Sequence, residues 1–515
     1  MVRLDFSLIE RTNLIGYSPL EPKDLAAKIA AGCKPSQLPG DFILIIEGKN
    51  SDRLPYVALI TSAVCAIPYY VYQLNNRFVH GLNVFEVVEL AKIAWKWNNN
   101  ALNSLALLGF CLENDSLHQD VKRAYPACIY YYCQEQLNII KDTFPTDVFS
   151  GDRIGLDDAL KEYNRVCDRY YSDRQVCLSL SAGYDSRVLL ASLLERGIKP
   201  IVGTEGSPDS TDVETASAIA KDLALEHRVI QLTENDFIEY ADLIVEATSG
   251  ELLLSGAWGA FLFLQQIKFP QNMLHLTGTN GELFRTFYFD KGILCQIADL
   301  FPNMILKQFF RAYVTYKQRQ FKDFPTEAFL WNKQPFKYST ISDCCDRLSA
   351  IGQNFSNQLD YFYTFYRVRN YIGQGVALYN LVNPTISPFL DYRVVMAGAK
   401  LNRKYKLNNF FHQQILLDSY PQLTNYPVNG SSISTMSAEQ NFYWLKKKSK
   451  NKSTGKSLNL RLMESKLKDI CYNSPYLDNF MAKKHRILAV ENKVFPVFSF
   501  LVTMHFVSQK IESIK

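Results

Sequence analysis

One short segment of the sequence combines small residues with hydroxyl and carboxylate side chains in an order that suits a polyphosphate. It follows an apolar stretch, precedes a helical pattern and reads Leu180-Ser181-Ala182-Gly183-Tyr184-Asp185-Ser186. Small residues let backbone N–H groups approach a phosphate closely, and a helix N-terminus adds the positive end of its dipole. The Asp185 carboxylate would repel phosphate unless a cation lay between them, which indicates Mg²⁺. An ordinary strand-to-helix turn capped by Asp or Ser is the alternative for this segment alone.

The segment differs from a Walker phosphate loop, because the pattern GxxxxGK[ST] occurs nowhere in the sequence. Only the fragment Gly455-Lys456-Ser457 matches the end of that motif, and Lys450 stands in place of its first glycine. No predicted strand precedes the fragment. The sequence therefore excludes a nucleotide site of the Walker type.

The residues around the loop alternate between predicted strands and predicted helices. Strands are predicted at 175–181, 201–204, 228–232 and 273–276, and helices at 186–196, 211–223, 237–247 and 258–267. Gly197 stands where a helix C-terminal glycine is expected, and Thr211 begins a segment that fits a capping box. Alternation with short links predicts an α/β fold, a parallel sheet with helices on both faces. Residues 300–430 are predicted to be mainly helical.

The region before the loop has a different pattern. Strands are predicted at 42–46, 56–61 and 127–132, with a strand pair within 69–79 that turns at Asn75 and Asn76. Helices are predicted at 86–97 and 103–110, and residues 1–45 look largely irregular. This pattern indicates an α+β region with antiparallel hairpins. We therefore predict three parts, at residues 1–150, 151–430 and 431–515, the last a helical extension with a basic loop at 446–456.

Composition narrows the class of protein. The chain has 515 residues, with 56 basic and 51 acidic side chains, and this balance does not by itself indicate a nucleic-acid partner. Its 11 cysteines are scattered and contain no CxxC pair, which favours reduced thiols in a cytoplasmic protein. The N-terminus does not have the pattern of a signal peptide, and the apolar stretches are too short for a membrane span.

Four segments, in order and at matching spacing, resemble the asparagine synthetase family of ATP-pyrophosphatases. Residues 181–186 resemble its SGGxDS pyrophosphate loop, with Ala182 for the first glycine, and residues 202–209 resemble the strand segment beside the adenosine. Residues 277–284 resemble the family's GxGxDELF segment, and residues 387–395 resemble its PFLD segment. The resemblance implies an adenine nucleotide alpha hydrolase-like sheet. It also implies that residues 1–150 form a degenerate glutaminase-like (Ntn-hydrolase) sandwich, through segments at 40–42, 68–70 and 105–132.

The resemblance implies an ATP-dependent amide-forming ligase that activates a carboxylate as an acyl-adenylate, releases pyrophosphate and then transfers the acyl group to an amine. It assigns Mg²⁺ binding and catalysis to Asp185 and Glu282. It assigns nucleotide binding to Ser181, Ala182, Gly183, Tyr184, Asp185, Ser186, Val202, Gly203, Thr204, Gly278 and Gly281. The substrates would be a small-molecule or peptide carboxylate and either ammonia or an amine on the substrate itself.

The sequence departs from the family at several functional positions. Val2 stands where a working glutaminase has its nucleophilic cysteine, and the first cysteine is Cys33, so we expect no glutamine hydrolysis. Gly281 aligns with the family's metal-binding aspartate, in a segment one residue short. Gln413 aligns with the lysine that steadies the pyrophosphate, and Lys404 and Lys406 are candidates to replace that lysine.

Two further residues have predicted roles. Arg285 is expected to face the phosphates, a substrate carboxylate or solvent. Asp391, within the PFLD segment, is expected to tie the helical region to the sheet.

Three alternatives remain open. Gly281 and Gln413 favour a non-catalytic relative that binds nucleotide or a partner protein. Loss of the glutaminase, as in β-lactam synthetases and lasso-peptide cyclases, favours intramolecular cyclisation of a peptide or small molecule. A tRNA-modifying ATP-pyrophosphatase that uses the basic run at 446–456 is the third alternative.

Overall fold

The computed structural model describes most of the chain. The described residues are 4–74, 76–171, 175–256, 258–289, 292–321, 324–325, 328–331, 339–351, 354–428, 437–438, 462–463 and 466–514. The basic run at 446–456 lies outside them. All eleven cysteines are described, and each is a free thiol. Among the described helices, none has the length and apolarity that crossing a membrane requires.

The first region is built from two antiparallel sheets that face each other. Its strands are β1 Leu8–Tyr17, β2 Asp41–Lys49, β3 Pro55–Thr61, β4 Tyr70–Leu74, β5 Arg77–Gly81, β6 Val121–Arg123, β7 Cys128–Cys133 and β8 Gln136–Lys141. One sheet has the order β1-β2-β3-β7-β8 and the other β5-β4-β6. The region also contains helices α1 Pro22–Ala30, α2 Val84–Ala91, α3 Asn99–Leu108 and α4 Phe144–Asp147.

Alternating side chains fix the layers of this region. Along β2, Ile43 and Ile45 point toward the second sheet, whereas Phe42 and Leu44 point toward α1. The second sheet is covered on its outer face by α2. The result is a helix–sheet–sheet–helix sandwich, which agrees with the predicted α+β architecture.

Local backbone geometry explains where the predictions for this region are wrong. The ten-residue strand β1 occupies a stretch predicted to be irregular. The helix predicted at 86–97 ends at Ala91, because Lys92 adopts a left-handed conformation (φ 50°). The helix predicted at 103–110 begins earlier, since the Asn98 side chain caps it. The predicted hairpin is present, with Asn76 at φ 61°, while Asn75 lies outside the described residues.

A five-stranded parallel sheet forms the second region, as the sequence predicts. Its strands are β9 Val176–Ser179, β10 Ile201–Glu205, β11 His227–Ile230, β12 Leu274–Leu276 and β13 Thr385–Ile386. They lie in the order β11-β10-β9-β12-β13, and every pairing is parallel. The accompanying helices are α5 Leu156–Tyr171, α6 Tyr184–Glu195, α7 Thr211–Asp222, α8 Glu234–Glu239, α9 Ala241–Thr248 and α10 Trp258–Ile267.

Helices cover both faces of this sheet. Val176 and Leu178 of β9 pack into the cluster that contains α5 and α6, while Cys177 packs on Phe263 and Leu264 of α10. Gly197 has φ 72°, as expected of a C-terminal glycine.

Three predictions for the second region need correction. Ser210, rather than Thr211, caps α7, because its Oγ accepts the N–H of Val213. The helix predicted at 237–247 is two helices that meet at Tyr240. The two-residue strand β13 was not predicted.

The remaining elements are helical, as predicted for 300–430. They are α11 Gly292–Leu300, α12 Pro302–Arg319, α13 Ser339–Ile351, α14 Phe355–Tyr361, a π-helix Phe362–Ile372, α15 Gly373–Asn380, α16 Tyr392–Lys400, α17 Phe410–Ser419, α18 Leu467–Asn473, α19 Lys483–Glu491 and α20 Phe495–Ser513. The largest hydrophobic cluster joins α3, α9, α10, α12 and α20. The boundaries predicted for the three parts stay predictions.

Candidate active site

The loop between β9 and α6 is held in a closed shape by its own serines. The hydroxyl of Ser186 accepts the N–H of Ser181, and the two Oγ atoms lie 3.1 Å apart. Gly183 is the N-cap of α6, so Asp185 falls in the first turn of the helix. This is the strand–loop–helix geometry that the sequence predicts for residues 181–186.

Two backbone N–H groups of the loop already have side-chain acceptors. The Ala182 N–H donates to Asp212 Oδ1 at 2.7 Å, and the Gly183 N–H donates to Ser181 Oγ at 3.2 Å. Behind the loop, buried Arg187 donates to the carbonyl oxygens of Ala182 and Tyr426. A phosphate that used these N–H groups would take the place of the Asp212 and Ser181 oxygens.

A cavity of about 550 Å³ opens at the carboxyl ends of β9, β10 and β12. Strand order reverses at β9, the position where open α/β sheets bind their ligands. Four carboxylates line the cavity, from Asp185, Glu205, Asp212 and Glu282. The lining contains no Lys or Arg among the described residues. One wall is apolar and is formed by Leu232, Phe237, Leu254, Ala260, Phe263 and Ile372.

Asp185 has two cationic or donor neighbours, His412 and Arg285. His412 Nε2 lies 2.9 Å from its Oδ1, and Arg285 Nη2 lies 3.6 Å from its Oδ2. Burial raises the pKa of Asp185, but His412 and Arg285 lower it by more, so the carboxyl is ionised at neutral pH. Asp185 Oδ1 is buried, and His412 Nε2 is its close neighbour in this contact.

Arg285 connects the two residues predicted to bind metal. Its Nη2 also lies 3.0 Å from Glu282 Oε1, and Tyr363 of the π-helix donates to Glu282 Oε2 at 2.6 Å. Burial lowers the pKa of Arg285, but Asp185 and Glu282 raise it by more, so its charge is retained. Arg285 is therefore a resident cation at the cavity edge, held by two carboxylates.

The donor set agrees in kind with Mg²⁺. Asp185 and Glu282 both line the cavity and offer hard carboxylate oxygens, and Mg²⁺ in nucleotide sites takes one or two carboxylates together with substrate phosphates. The described residues contain no group of three or more candidate metal ligands. The residues thus fit a metal that arrives with a polyphosphate, rather than a metal cage made by protein alone.

Gly278 and Gly281 let the segment after β12 approach the phosphate loop closely. A Cβ atom on Gly278 would lie 2.7 Å from Asp185 Cβ, and one on Gly281 would lie 2.8 Å from Asp185 Cγ. A side chain at position 281 would therefore overlap with the side chain of Asp185. An aspartate here, as in the family motif, does not fit without a shift of the loop.

The residues predicted to contact the adenosine divide into two groups. Gly203 and Thr204 line the cavity, and Thr204 Oγ1 donates to Leu180 O. Val202 is fully buried in the core and does not line the cavity. A Cβ on Gly203 would lie 2.7 Å from Phe269. The glycine therefore also lets Phe269, which follows α10, pack closely on strand β10.

Among the other predicted nucleotide-binding residues, Ser181, Asp185, Ser186 and Gly278 line the cavity, as does the predicted metal ligand Glu282, whereas Ala182, Gly183, Tyr184 and Gly281 are not part of its lining. Nucleotide contact by all of these residues stays a prediction.

The candidates for the missing lysine lie elsewhere. Lys406 is buried and forms an ion pair with Asp360 at 2.7 Å, and Lys404 lies over the ring of Tyr405. Gln413 donates to Asn408 O and to the Tyr184 hydroxyl. Its neighbour His412, which the sequence analysis did not single out, is the residue of α17 that reaches Asp185. A lone histidine in an apolar helix gave no sequence signal.

Asp391 has the structural role expected of it. It is buried, accepts a hydrogen bond from Tyr170 of α5 at 2.8 Å, and caps α16 by accepting the N–H of Arg393. Burial raises its pKa.

Comparison with known proteins agrees with this geometry. The family model described as asparagine synthase matches residues 156–418, more than half of the chain, including the phosphate loop, the cavity and Asp391. No curated protein matches the sequence. On the strength of the family match, the chain belongs to the asparagine synthase family.

Proposed function

We propose that this protein is an ATP-dependent ligase that adenylates a carboxylate, releases pyrophosphate and forms an amide without hydrolysing glutamine. Family membership supports the broader statement, an ATP-dependent amide-forming ligase. The observation that supports the adenylation mechanism in particular is the position of Asp185. It is an ionised carboxylate in the first turn of α6, beside a hydroxyl-rich loop, where the strand order of the sheet reverses.

The loop residues would hold the pyrophosphate part of ATP. Ser181 and Ser186 supply hydroxyl donors, and the N-terminus of α6 supplies backbone N–H groups and its dipole. Asp185 and Glu282 would hold Mg²⁺. When bound, Mg²⁺ supplies positive charge that offsets the triphosphate and the carboxylates of the cavity.

In the first step, an oxygen of the substrate carboxylate attacks the α-phosphorus, and the bond to the β-phosphate oxygen breaks. Negative charge then develops on the departing pyrophosphate, where the family uses a lysine. Arg285 and His412 lie within 3.6 Å of Asp185, the carboxylate of the loop. We propose that they replace the lysine that Gln413 does not supply.

In the second step, an amine attacks the acyl carbon, AMP departs with the acyl oxygen, and the amine loses a proton to solvent. Val2 and the lack of an earlier cysteine than Cys33 favour free ammonia or an amine on the substrate itself over glutamine as the source. An amine on the same molecule makes the product cyclic. Both versions use the same adenylation site.

The test is to measure AMP and pyrophosphate when ATP, Mg²⁺ and ammonium are incubated with a panel of carboxylates. We expect equal amounts of AMP and pyrophosphate with at least one carboxylate. Because Asp185 contacts the reacting nucleotide through the metal, Asp185→Asn should lower the rate about 100-fold or more. Asp24→Asn, an exposed change in α1, is the matched control and should have no effect. Formation of ADP and phosphate would contradict the proposal.

A second candidate function is nucleotide binding without turnover. Two contacts favour it. Asp212 accepts the Ala182 N–H that a phosphate would use, and Arg285 contacts both carboxylates that would bind the metal. Magnesium-dependent binding of ATP without AMP formation across the panel would support it. The RNA-modifying alternative depends on residues 446–456, which lie outside the described residues.

A further inference from the structure

Two neighbouring cavities away from the candidate active site share lining residues, and we treat them together as one groove. One has a volume of about 520 Å³ and lies between α5 and α16; the other, of about 470 Å³, lies between α5 and the α1 side of the first region. Tyr392 and Arg393 line both cavities. No residue of this groove lines the candidate active site. We call it the basic groove.

Charge in the basic groove is strongly unbalanced. Its acidic side chains are Asp158 and Glu162, and its basic side chains are Lys28, Lys161, Arg165, Arg169, Arg393 and Lys400. The whole chain, by contrast, has 56 basic and 51 acidic residues. With six basic and two acidic side chains, the groove is far more basic than the chain as a whole.

Most of these cations have no acidic partner. Glu162 pairs with Arg165 at 3.1 Å. Within the described part of the chain, none of the other five has a carboxylate within 4.0 Å. Arg393 donates instead to the Tyr392 hydroxyl. The charges of Arg169 and Arg393 lower the pKa of buried Asp391 from a distance greater than that of an ion pair. Unpaired cations around a concavity create a field that attracts an anionic ligand.

Helical spacing places the charges along one line. Lys161, Arg165 and Arg169 recur every four residues on α5, and Arg393 and Lys400 lie seven residues, about two turns, apart on α16. Between the charged edges the floor is apolar, with Ile154, Met396, Leu20 and Pro39. A ligand that fits must therefore offer both carboxylates and apolar groups along an extended shape.

We infer that the basic groove binds an acidic, partly apolar segment of a peptide or protein. Side chains of such a segment match the basic edges and the apolar floor together. Nucleic acid matches less well, because its phosphate backbone offers no apolar side chains to Ile154, Met396 and Leu20. The inference goes beyond the proposed adenylation and does not depend on it.

The test uses a fluorescein-labelled peptide of about ten alternating Glu and Leu residues, followed by fluorescence anisotropy at low and moderate salt. The groove variant is Lys28→Glu with Lys161→Glu, one exposed helical lysine from each cavity. The control is Lys221→Glu with Lys484→Glu, two exposed helical lysines outside the groove that give the same change in net charge.

The inference predicts salt-sensitive binding to the wild type, a loss of at least about tenfold in affinity in the groove variant, and no change in the control. Asp185→Asn should also leave peptide binding unchanged. Failure of the wild type to bind the peptide at low salt would overturn the inference, as would an equal loss in both double variants. Tighter groove-dependent binding of a ten-nucleotide oligothymidylate would overturn it in favour of nucleic acid.

Discussion

At the scale of single residues, Gly281 sets the distance between the segment after β12 and the phosphate loop. A Cβ at this position would come within 2.8 Å of Asp185 Cγ. The space is therefore available to Asp185 and to its cationic neighbours only because residue 281 has no side chain. Because residue 281 is a glycine and not the family's aspartate, Arg285 can approach Asp185 closely.

Restoring the family residue should therefore harm the site. We predict that Gly281→Asp weakens magnesium-dependent ATP binding, because the new side chain displaces Asp185, and that it lowers the free energy of unfolding by about 1–3 kcal/mol through overpacking. Gly281→Ala adds the same Cβ without the charge and should produce most of the loss of stability. Denaturant unfolding and calorimetric titration measure the two effects. Tighter ATP binding by Gly281→Asp would refute this account of the position.

Residue types that act through local sequence were predictable, and residues that act through packing were not. Ser181, Asp185 and Glu282 were identified because small and acidic residues at a strand–helix junction carry a local signal. Arg285 was predicted only to face the phosphates, a substrate carboxylate or solvent, and His412 was not predicted at all. The packing of α17 and of the segment after β12 brings both to Asp185. Lys406 was a reasonable candidate from its charge, yet its burial against Asp360 removes it from the phosphate site.

At the scale of elements, the π-helix links the first region to the active site. Arg369 donates to Glu113 O and Asn370 to Cys111 O, while Arg123 donates back to Arg369 O. The same π-helix carries Tyr363, which contacts Glu282. The first region therefore holds one wall of the candidate active site in position.

Gly373, directly after the π-helix, is the tightest point of this contact. A Cβ there would lie 2.8 Å from the carbonyl carbon of Ala66. We predict that Gly373→Ala lowers the free energy of unfolding by about 1–3 kcal/mol, because a rigid backbone has to move, and that it also weakens ATP binding. The added Cβ would also lie 2.9 Å from Ala66 Cβ, but the closer clashes are with the Ala66 main chain, so adding Ala66→Gly should restore at most a small part of either quantity. Unchanged stability and ATP affinity in Gly373→Ala would show that this contact does not hold the wall of the active site in position.

The central strand pair contains a titratable group whose effect on stability has a definite sign. His275 of β12 lies between Ser179 and Thr385, and burial lowers its pKa to about 3. Between pH 6.5 and 3 the unfolded chain binds a proton at this residue and the folded chain does not, so the folded state loses stability as pH falls.

This contribution amounts to about 3 kcal/mol between pH 7 and pH 4. We predict that His275→Gln flattens the pH dependence of the free energy of unfolding across that range. His485→Gln, in α19, should leave the dependence as in the wild type. Parallel pH profiles for the wild type and His275→Gln would show that His275 is not buried in its neutral form.

Elements with strong periodicity or clear caps were predictable, and short or context-dependent elements were not. The strands β9, β10 and β12 and the helix α10 follow from apolar runs with punctuating glycines. The strand β13 has two residues, too few for any period, and exists because it pairs with β12. Helix α2 ends at Lys92, which has a left-handed backbone conformation. A lysine gives no sequence signal for that conformation.

At the scale of the whole molecule, the last helix belongs to the same core as the synthetase region. Phe498, Phe500 and Leu501 of α20 are fully buried. Ser499 and Thr503 accept the N–H groups of Ser255 and Leu254, two residues that line the active-site cavity. Helix α20 therefore supports the site, although it lies outside the segment that the family model matches.

We predict that truncation before Phe495 prevents folding of the synthetase region. Each large buried side chain contributes about 1.5–3 kcal/mol, so loss of several exceeds the net stability of about 5–15 kcal/mol that is usual for a protein. Thr503→Val is the milder variant and should keep the fold while removing one hydrogen bond to the cavity wall. Circular dichroism and thermal unfolding measure both. A truncated chain that unfolds cooperatively would show that α20 is dispensable.

The central claim is that the loop at residues 181–186 binds ATP through a metal held by Asp185. The most direct measurement is calorimetric titration of ATP with Mg²⁺ into the wild type, into Asp185→Asn and into the surface control Asp24→Asn, each repeated with EDTA. The account predicts binding by the wild type and the control, loss of that binding with EDTA, and a much weaker, metal-independent signal for Asp185→Asn. Binding of equal strength by Asp185→Asn, or no binding by the wild type, would contradict it.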